Sequence, residues 1–101
     1  MKSITDKAEV SIDFPDKAYW GAFGRASRFE AHADDEGVVI KLERDGEDKR
    51  RAGLHLHYYL FADILNEIAD SLEARPQLDE AHRDSLVAAA KKLTHALRKN
   101  R

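Results

Sequence analysis

The chain has 101 residues, of which 36% are charged, and a formal net charge of -2. This length predicts a single domain with a modest core, and the near-neutral balance argues against a strongly basic binder of polyanions, although a local basic patch is compatible with it. The absence of cysteine excludes disulfides and thiolate chemistry. No apolar run is long enough for a signal peptide or a membrane span, so we expect a cytoplasmic protein that does not enter membranes.

The first quarter of the chain predicts one strand. Residues 1–8 are polar, and we expect them to be frayed. Glu9–Phe14 alternate polar and apolar residues, which is typical of a short strand, and Pro15-Asp16 is a turn signal. The segment 17–27 carries three large aromatic residues and two glycines, and glycine weakens both helices and strands. This segment is compatible with a bulged strand or with a loop held down by its aromatic side chains.

Arg28–Arg44 predict a β-hairpin whose register follows from the sequence. If Ala33 pairs with Val38 across the loop 34–37, Phe29 faces Leu42 and Ala31 faces Ile40, so six apolar residues share one face. On the other face opposite charges meet, Arg28 with Glu43 and Glu30 with Lys41, while His32 faces Val39. A slip of one residue would scatter this sorting, so the register is well specified.

The next strand is predicted over 50–57, after a turn at Asp45-Gly46-Glu47-Asp48-Lys49. Within it, Leu54 and Leu56 alternate with His55 and His57, a period of two that indicates a half-buried strand. The two leucines extend the apolar face of the hairpin, and the two histidines extend its polar face.

Two helices are predicted to complete the chain. In the first, over 58–74, apolar residues recur at steps of four, and the helix must end before Pro76 because the residue preceding a proline disfavours the helical region. The second, over 78–98, has Asp79 as a plausible N-cap. We therefore expect an α+β fold in one domain (1–101), with an antiparallel sheet of three or four strands within 9–57 and both helices packed on one face.

Histidines on the polar sheet face raise the possibility of a metal site. His55 and His57 lie about 6.5–7 Å apart along one strand face, a spacing that can chelate Zn²⁺ or a similar ion. His32 lies on the same face, two strands away, with Val39 between. The alternative interpretation is a polar sheet face that happens to use histidine.

Catalytic signatures are missing from the chain. It has no nucleophile elbow, no glycine-rich phosphate loop and no His-Glu-x-x-His pattern. We therefore expect a protein that is not an enzyme and needs no cofactor.

Basic residues and aromatics could serve nucleic-acid binding. Single strands are commonly held by aromatic side chains on a sheet beside lysine or arginine. The candidates for contacting a nucleic acid or another partner are Arg28, Lys41, Arg50, Arg51, His55 and His57. The alternative is that the aromatics are core residues and the basic run 49–51 is a solvated strand edge.

The segment 27–72 resembles a PUR repeat, the unit of the purine-rich-element-binding proteins, and similar units belong to the Whirly-like group. The matching features are Phe29 in an aromatic strand, Gly37 ending a polar turn, the apolar-lysine-apolar run Ile40-Lys41-Leu42 and the helical run Phe61-Ala62-Asp63-Ile64-Leu65. The resemblance implies four strands followed by a helix, single-stranded nucleic-acid binding and helix-swapped pairing. It carries Lys41 and the Arg50-Arg51 pair over as contacts.

These patterns together predict a small non-enzymatic binding or interaction protein, of a kind compatible with a regulatory role, that uses its exposed polar sheet face. Single-stranded nucleic-acid binding and metal binding through histidines are the alternatives. A sheet this small with free edges often completes itself by pairing, so we expect a homodimer, formed through sheet edges or through helix–helix packing.

Overall fold

The computed structural model describes residues 1–46 and 49–100. Its antiparallel strands form a four-stranded and a two-stranded sheet, and two helices end the chain, which confirms the α+β class. The described chain divides into two compact units, 1–66 and 67–101. The single-domain expectation stays a prediction. Neither of the described helices is long and apolar enough to cross a membrane.

Eight elements follow one another along the chain. They are β1 (Lys2–Ser3), β2 (Ala8–Phe14), β3 (Lys17–Phe23), β4 (Ser27–Ala33), β5 (Gly37–Arg44), β6 (Arg50–His57), α1 (Tyr58–Ala74) and α2 (Glu80–Lys99). The four-stranded sheet has the order β1-β4-β5-β6, and β2 pairs with β3 in the smaller sheet. The predicted turn before β6 includes Glu47 and Asp48, which lie outside the described residues.

The register of the β4–β5 hairpin is the one derived from the sequence. Ala33 pairs with Val38, and the pairing continues to Ser27 and Arg44 without a slip. Strand β6 adds to β5 with Leu54 opposite Ile40. Since alternate residues of a strand point to opposite faces, this register separates an apolar face from a polar one across three strands.

The expectation of a frayed N-terminus is wrong for residues 2–4. Strand β1 pairs with β4, and the backbone N–H of Ile4 donates to the carbonyl of Ser27 at 3.1 Å. Ile4 is buried. The fourth strand of the larger sheet is therefore this short N-terminal strand, and the strand predicted over 9–14 belongs to the smaller sheet instead.

The segment left open between a bulged strand and a loop forms a regular strand up to Phe23. Strands β2 and β3 pair over all seven residues of each, joined by the turn at Pro15-Asp16. Phe23 is only 2% exposed and is one of two buried hydrophobic side chains among the described residues. Gly21 pairs with Val10 within this strand, and the Arg50 side chain lies next to it.

Both helices form where the sequence placed them. Helix α1 ends at Ala74 as predicted, and the Asp79 side chain caps α2 by accepting from the His82 N–H at 3.3 Å. Neither helix has a buried residue over its described length.

Gly37 is the position where a side chain would do most damage to the sheet. A Cβ at this residue would lie 2.1 Å from the carbonyl oxygen of Leu56 and 2.7 Å from the Cα of His57, both backbone atoms that cannot move aside alone. We expect Gly37→Ala to lower the free energy of unfolding by about 2–3 kcal/mol.

Thermal unfolding followed by circular dichroism measures this effect as a fall in melting temperature. Gly24→Ala is the matched control, because a Cβ at Gly24 meets no atom within 4 Å among the described residues. Equal melting temperatures for the two variants would contradict the close approach of β6 to Gly37.

Candidate functional site

The polar face of the four-stranded sheet gathers most of the residues singled out from the sequence. By the observed pairing, it carries Arg28, His32, Lys41, Arg51, His55 and His57. Arg50 lies on the opposite face, because it alternates with Arg51 along β6 and its side chain approaches Gly21 of β3. The sheet therefore splits the Arg50-Arg51 pair that the sequence analysis treated as one contact.

Carboxylates accompany the cations of this polar face. Arg28 contacts Asp45 at 2.5 Å and Glu43 at 3.8 Å, and Arg51 contacts the same Glu43 at 3.8 Å. Lys41 lies 3.9 Å from Glu30. Exposed pairs of this kind add little stability, but they leave the face with both signs of charge side by side. A uniformly negative backbone would meet carboxylates next to each of these three cations.

The histidines form two groups on the polar face. The rings of His55 and His57 are neighbours, with centroids 5.0 Å apart, and His55 Nε2 lies 3.2 Å from an Asp34 carboxylate oxygen. His32 lies beside Glu30 at 3.7 Å. In the described part of the chain, no group of three or more histidine, aspartate or glutamate residues is placed to hold a metal ion. Metal binding through His32, His55 and His57 stays a prediction.

Asp34 ties the tip of the β4–β5 hairpin to the junction between β6 and α1. Its Oδ1 accepts from the backbone N–H groups of Glu36 and Gly37, both at 2.9 Å. The Tyr58 hydroxyl donates to its carbonyl oxygen at 2.6 Å. Together with the His55 contact, these bonds hold the start of α1 against the hairpin tip. An aspartate three residues before a glycine is typical of a turn in which the side chain accepts from the backbone. This pattern could have identified Asp34 from the sequence as the residue that holds the turn.

The charge of Asp34 is stabilised by its surroundings. The N–H groups of Glu36 and Gly37, and after them His55, lower the pKa of the Asp34 carboxyl below its ordinary value. All of these groups favour the ionised form, since they donate to a carboxylate more strongly than to a neutral acid.

A groove lies on the other side of the sheet, between the β2–β3 hairpin and the apolar residues of β5 and β6. Its volume is about 580 Å³. Its apolar lining includes Ile12 and Trp20 from the hairpin and Leu54 from β6, which are 51%, 63% and 56% exposed. Lys49 and Arg50 also line it. The sequence analysis missed this groove because the strand at 17–23 was not recognised.

Comparison with models of protein families, with curated proteins and with solved structures finds no match to this chain. The resemblance to PUR repeats and the Whirly-like group therefore stays an expectation from the sequence.

The lowered pKa of Asp34 predicts a dependence of stability on pH. A carboxyl whose pKa is lower when folded stabilises the fold above its unfolded pKa, here near 3.8, and this contribution is lost as the pH falls through the folded pKa. Asp34→Asn has no charge to lose, so its melting temperature should lie below that of the wild type at neutral pH, and the gap should close in strong acid.

The measurement is a series of thermal melts of both proteins from neutral pH to well below 3.8. Asp35→Asn, an exposed neighbour in the same turn, is the control and should show a smaller gap. A gap for Asp34→Asn that stays constant over the whole range would contradict the role of the charge.

Proposed function

We propose that this chain is a small non-enzymatic interaction module of the cytoplasm, that it works as a homodimer, and that its polar sheet face binds a protein partner. The observation that carries the proposal is the apolar surface that one copy leaves exposed.

The unit 1–66 leaves large apolar side chains exposed on its β2–β3 hairpin and on β6. Ile12 is 51% exposed, Trp20 is 63% exposed and Leu54 is 56% exposed, and all three line the groove. Pairing with a second copy would cover part of this surface.

Large apolar side chains are exposed in each unit. In the unit 67–101, Ile68 of α1 is 49% exposed and Leu97 of α2 is 63% exposed. In the unit 1–66, Phe14 and Tyr19 are exposed neighbours on the β2–β3 hairpin, with ring centroids 6.1 Å apart. Neighbouring exposed apolar side chains are more typical of an interface than scattered single ones.

The polar face suits a protein partner better than a nucleic acid. Phosphate contacts gain affinity when cations replace the counterions of the backbone. Here Arg28, Lys41 and Arg51 already lie beside carboxylates, so a polyanion would gain less binding free energy from them. The carboxylates of Glu30 and Glu43 would also repel it. A protein surface that also carries both signs of charge can match such a pattern, and complementarity of this kind gives specificity.

A homodimer makes thermal stability depend on concentration. We expect light scattering to give twice the chain mass, and the melting temperature to rise with protein concentration because association stabilises the folded state by mass action. The measurements are size-exclusion chromatography with multi-angle scattering and melts over a hundredfold range of concentration. A monomeric mass, together with a melting temperature that does not change on dilution, would contradict the proposal.

Nucleic-acid binding is tested separately, by fluorescence anisotropy of labelled single-stranded DNA and RNA at low and near-physiological salt. We expect flat titrations even at low salt, where electrostatic attraction is least screened. Lys41→Ala and Arg51→Ala should therefore change nothing. Binding that falls steeply with salt and weakens in both variants would replace the protein partner with a single-stranded nucleic acid.

A further inference from the structure

Strand β6 forms one edge of the four-stranded sheet and is paired on one side only. It runs for eight residues, all of them in register with β5. In the described part of the chain, no strand pairs with its other side. We propose that β6 of a second copy pairs there, antiparallel and across a two-fold axis. The inference rests on the proposed homodimer and names the strand and the register that form it.

Two hydrogen bonds determine which backbone groups of β6 face the open side. The N–H of Tyr58 donates to the carbonyl of Glu36 at 3.3 Å, in step with the β5–β6 pairing. The N–H of Asp34 donates to the carbonyl of Gly37, which gives the same alternation on the other side of β5. In an antiparallel pair, residues that bond to the partner strand alternate with residues that point away from it. The even-numbered residues of β6 therefore bond to β5, and the N–H and C=O groups that point outward belong to Arg51, Gly53, His55 and His57.

The open edge of β6 lacks most of the features by which proteins prevent strand pairing. Such features are proline, lysine, a bulge or a very short strand. Strand β6 contains no proline and no lysine, and its pairing with β5 skips no residue. Its two arginines occupy its first two positions. The described elements within 67–101 are helices, which bond their own backbone groups, so the outward groups of β6 need an extended strand from another molecule.

Symmetry favours β6 of a second copy over the opposite edge of its sheet. That opposite edge is partly covered, because β1 pairs with Arg28 and Phe29 of β4. A contact from β6 to β4 would also join unlike edges and could repeat without end, whereas a contact from β6 to β6 uses the same surface twice and closes as a dimer. The β6 pair is therefore the arrangement that agrees with the proposed homodimer.

The apolar side chains of β6 select the register of the pair. With Leu54 at the two-fold axis, each Leu54 lies opposite the other, and Ala52 lies opposite Leu56. Apolar residues then meet on one face, and such cross-strand pairs stabilise a sheet. An axis at Gly53 would instead place the guanidinium of Arg50 opposite Leu56. An axis one residue further along, at position 55, would leave 50–52 of each strand without a strand partner.

Gly53 suits the centre of this pair. A glycine in the interior of a strand often marks a place where another backbone approaches closely. A Cβ at Gly53 would meet no atom within 4 Å among the described residues, so nothing described within one copy accounts for the glycine. With the axis at Leu54, the residue opposite Gly53 is His55 of the second copy, whose imidazole gains the space that a side chain would fill.

Pairing in this register joins the polar faces of the two copies. Four strands from each copy would form one sheet of eight strands. Odd-numbered residues of β6 lie opposite odd-numbered residues, so their side chains stay on a common face. The surface proposed to bind a protein partner would thereby double in area, with the histidines of both strands at its centre.

Amide hydrogen exchange of the full chain measures the pairing residue by residue. Exchange proceeds at high or low protein concentration, is quenched, and is then measured by NMR. We expect the amides of Gly53 and His55 to exchange slowly in the dimer and fast on dilution, whereas the amide of Leu54, which bonds to β5, changes little. Ala31 and Ala33 point outward from β4 beyond β1, and their amides are the control that should exchange fast at both concentrations.

Gly53→Pro removes one outward N–H and leaves the bonds to β5 in place. The bond that it removes occurs twice in a symmetric dimer, so we expect the dimer Kd to rise about thirtyfold. Gly53→Ala keeps the N–H and adds a methyl group in open space, so it is the matched control and should change the Kd little. Melts of both variants in dilute solution confirm that each monomer is folded.

The absence of cysteine allows the register to be tested by a single substitution. Residues opposite each other in a pair without mutual hydrogen bonds have Cα atoms about 4.5 Å apart, which a disulfide can span. We therefore expect oxidised Leu54→Cys to form a covalent dimer. Leu56→Cys lies on the same strand face, but its two copies would be about 14 Å apart, so this control should give no link.

The outcomes separate the β6 pairing from the proposed homodimer. A dimer in which the amides of Gly53 and His55 still exchange fast, or in which those of Ala31 and Ala33 become slow, overturns the pairing and leaves the homodimer standing. Slow exchange of Gly53 and His55 in the dilute monomer also overturns it, because the edge is then covered within one copy. A link in Leu56→Cys without one in Leu54→Cys contradicts the register. A monomer at all concentrations defeats both proposals.

Discussion

The register of β4 against β5 is the constraint on which the rest of the structure depends. With Ala33 opposite Val38, three apolar pairs reach one face, and the ion pairs of Arg28 and Glu30 reach the other. Strand β6 pairs with β5 in the matching register, so its alternate residues also lie on the polar and the apolar face. His55 and His57 therefore lie on the polar face, and Arg50 and Arg51 lie on opposite faces. A shift of one residue would exchange the two faces, so the polar face and the groove exist only in this register.

Within the unit 1–66, the β2–β3 hairpin provides part of the cover for the apolar side of the sheet. The hairpin approaches β5 and β6, and it leaves a groove in place of a closed core. Among the described residues, the buried ones are Ile4, Phe23, Ser27 and Gly37. Because hydrophobic burial is the main favourable term in folding, Phe23, which is 2% exposed, contributes more than the half-exposed side chains around the groove.

The parts of the fold that sequence could predict are those where the periodicity is unbroken. Alternation of polar and apolar residues predicts the β4–β5 register and strand β6. The proline after α1 predicts where that helix ends, and the carboxylate of Asp79 predicts the N-cap of α2. Strand β1 was missed because two paired residues and one buried isoleucine leave no period to detect. Strand β3 was left open because Gly21 weakens a strand locally, whereas its pairing with β2 over seven residues stabilises the strand.

The net charge of -2 hides a separation of charge that matters more than the total. The polar face mixes both signs at close range, so its field is weak at a distance and its contacts are specific only when a partner is near. The groove on the other side of the sheet is lined by Lys49 and Arg50, and no acidic residue is among its described lining residues. The two faces of the sheet therefore differ in electrostatics as well as in hydrophobicity, and both differences follow from the register of β4, β5 and β6.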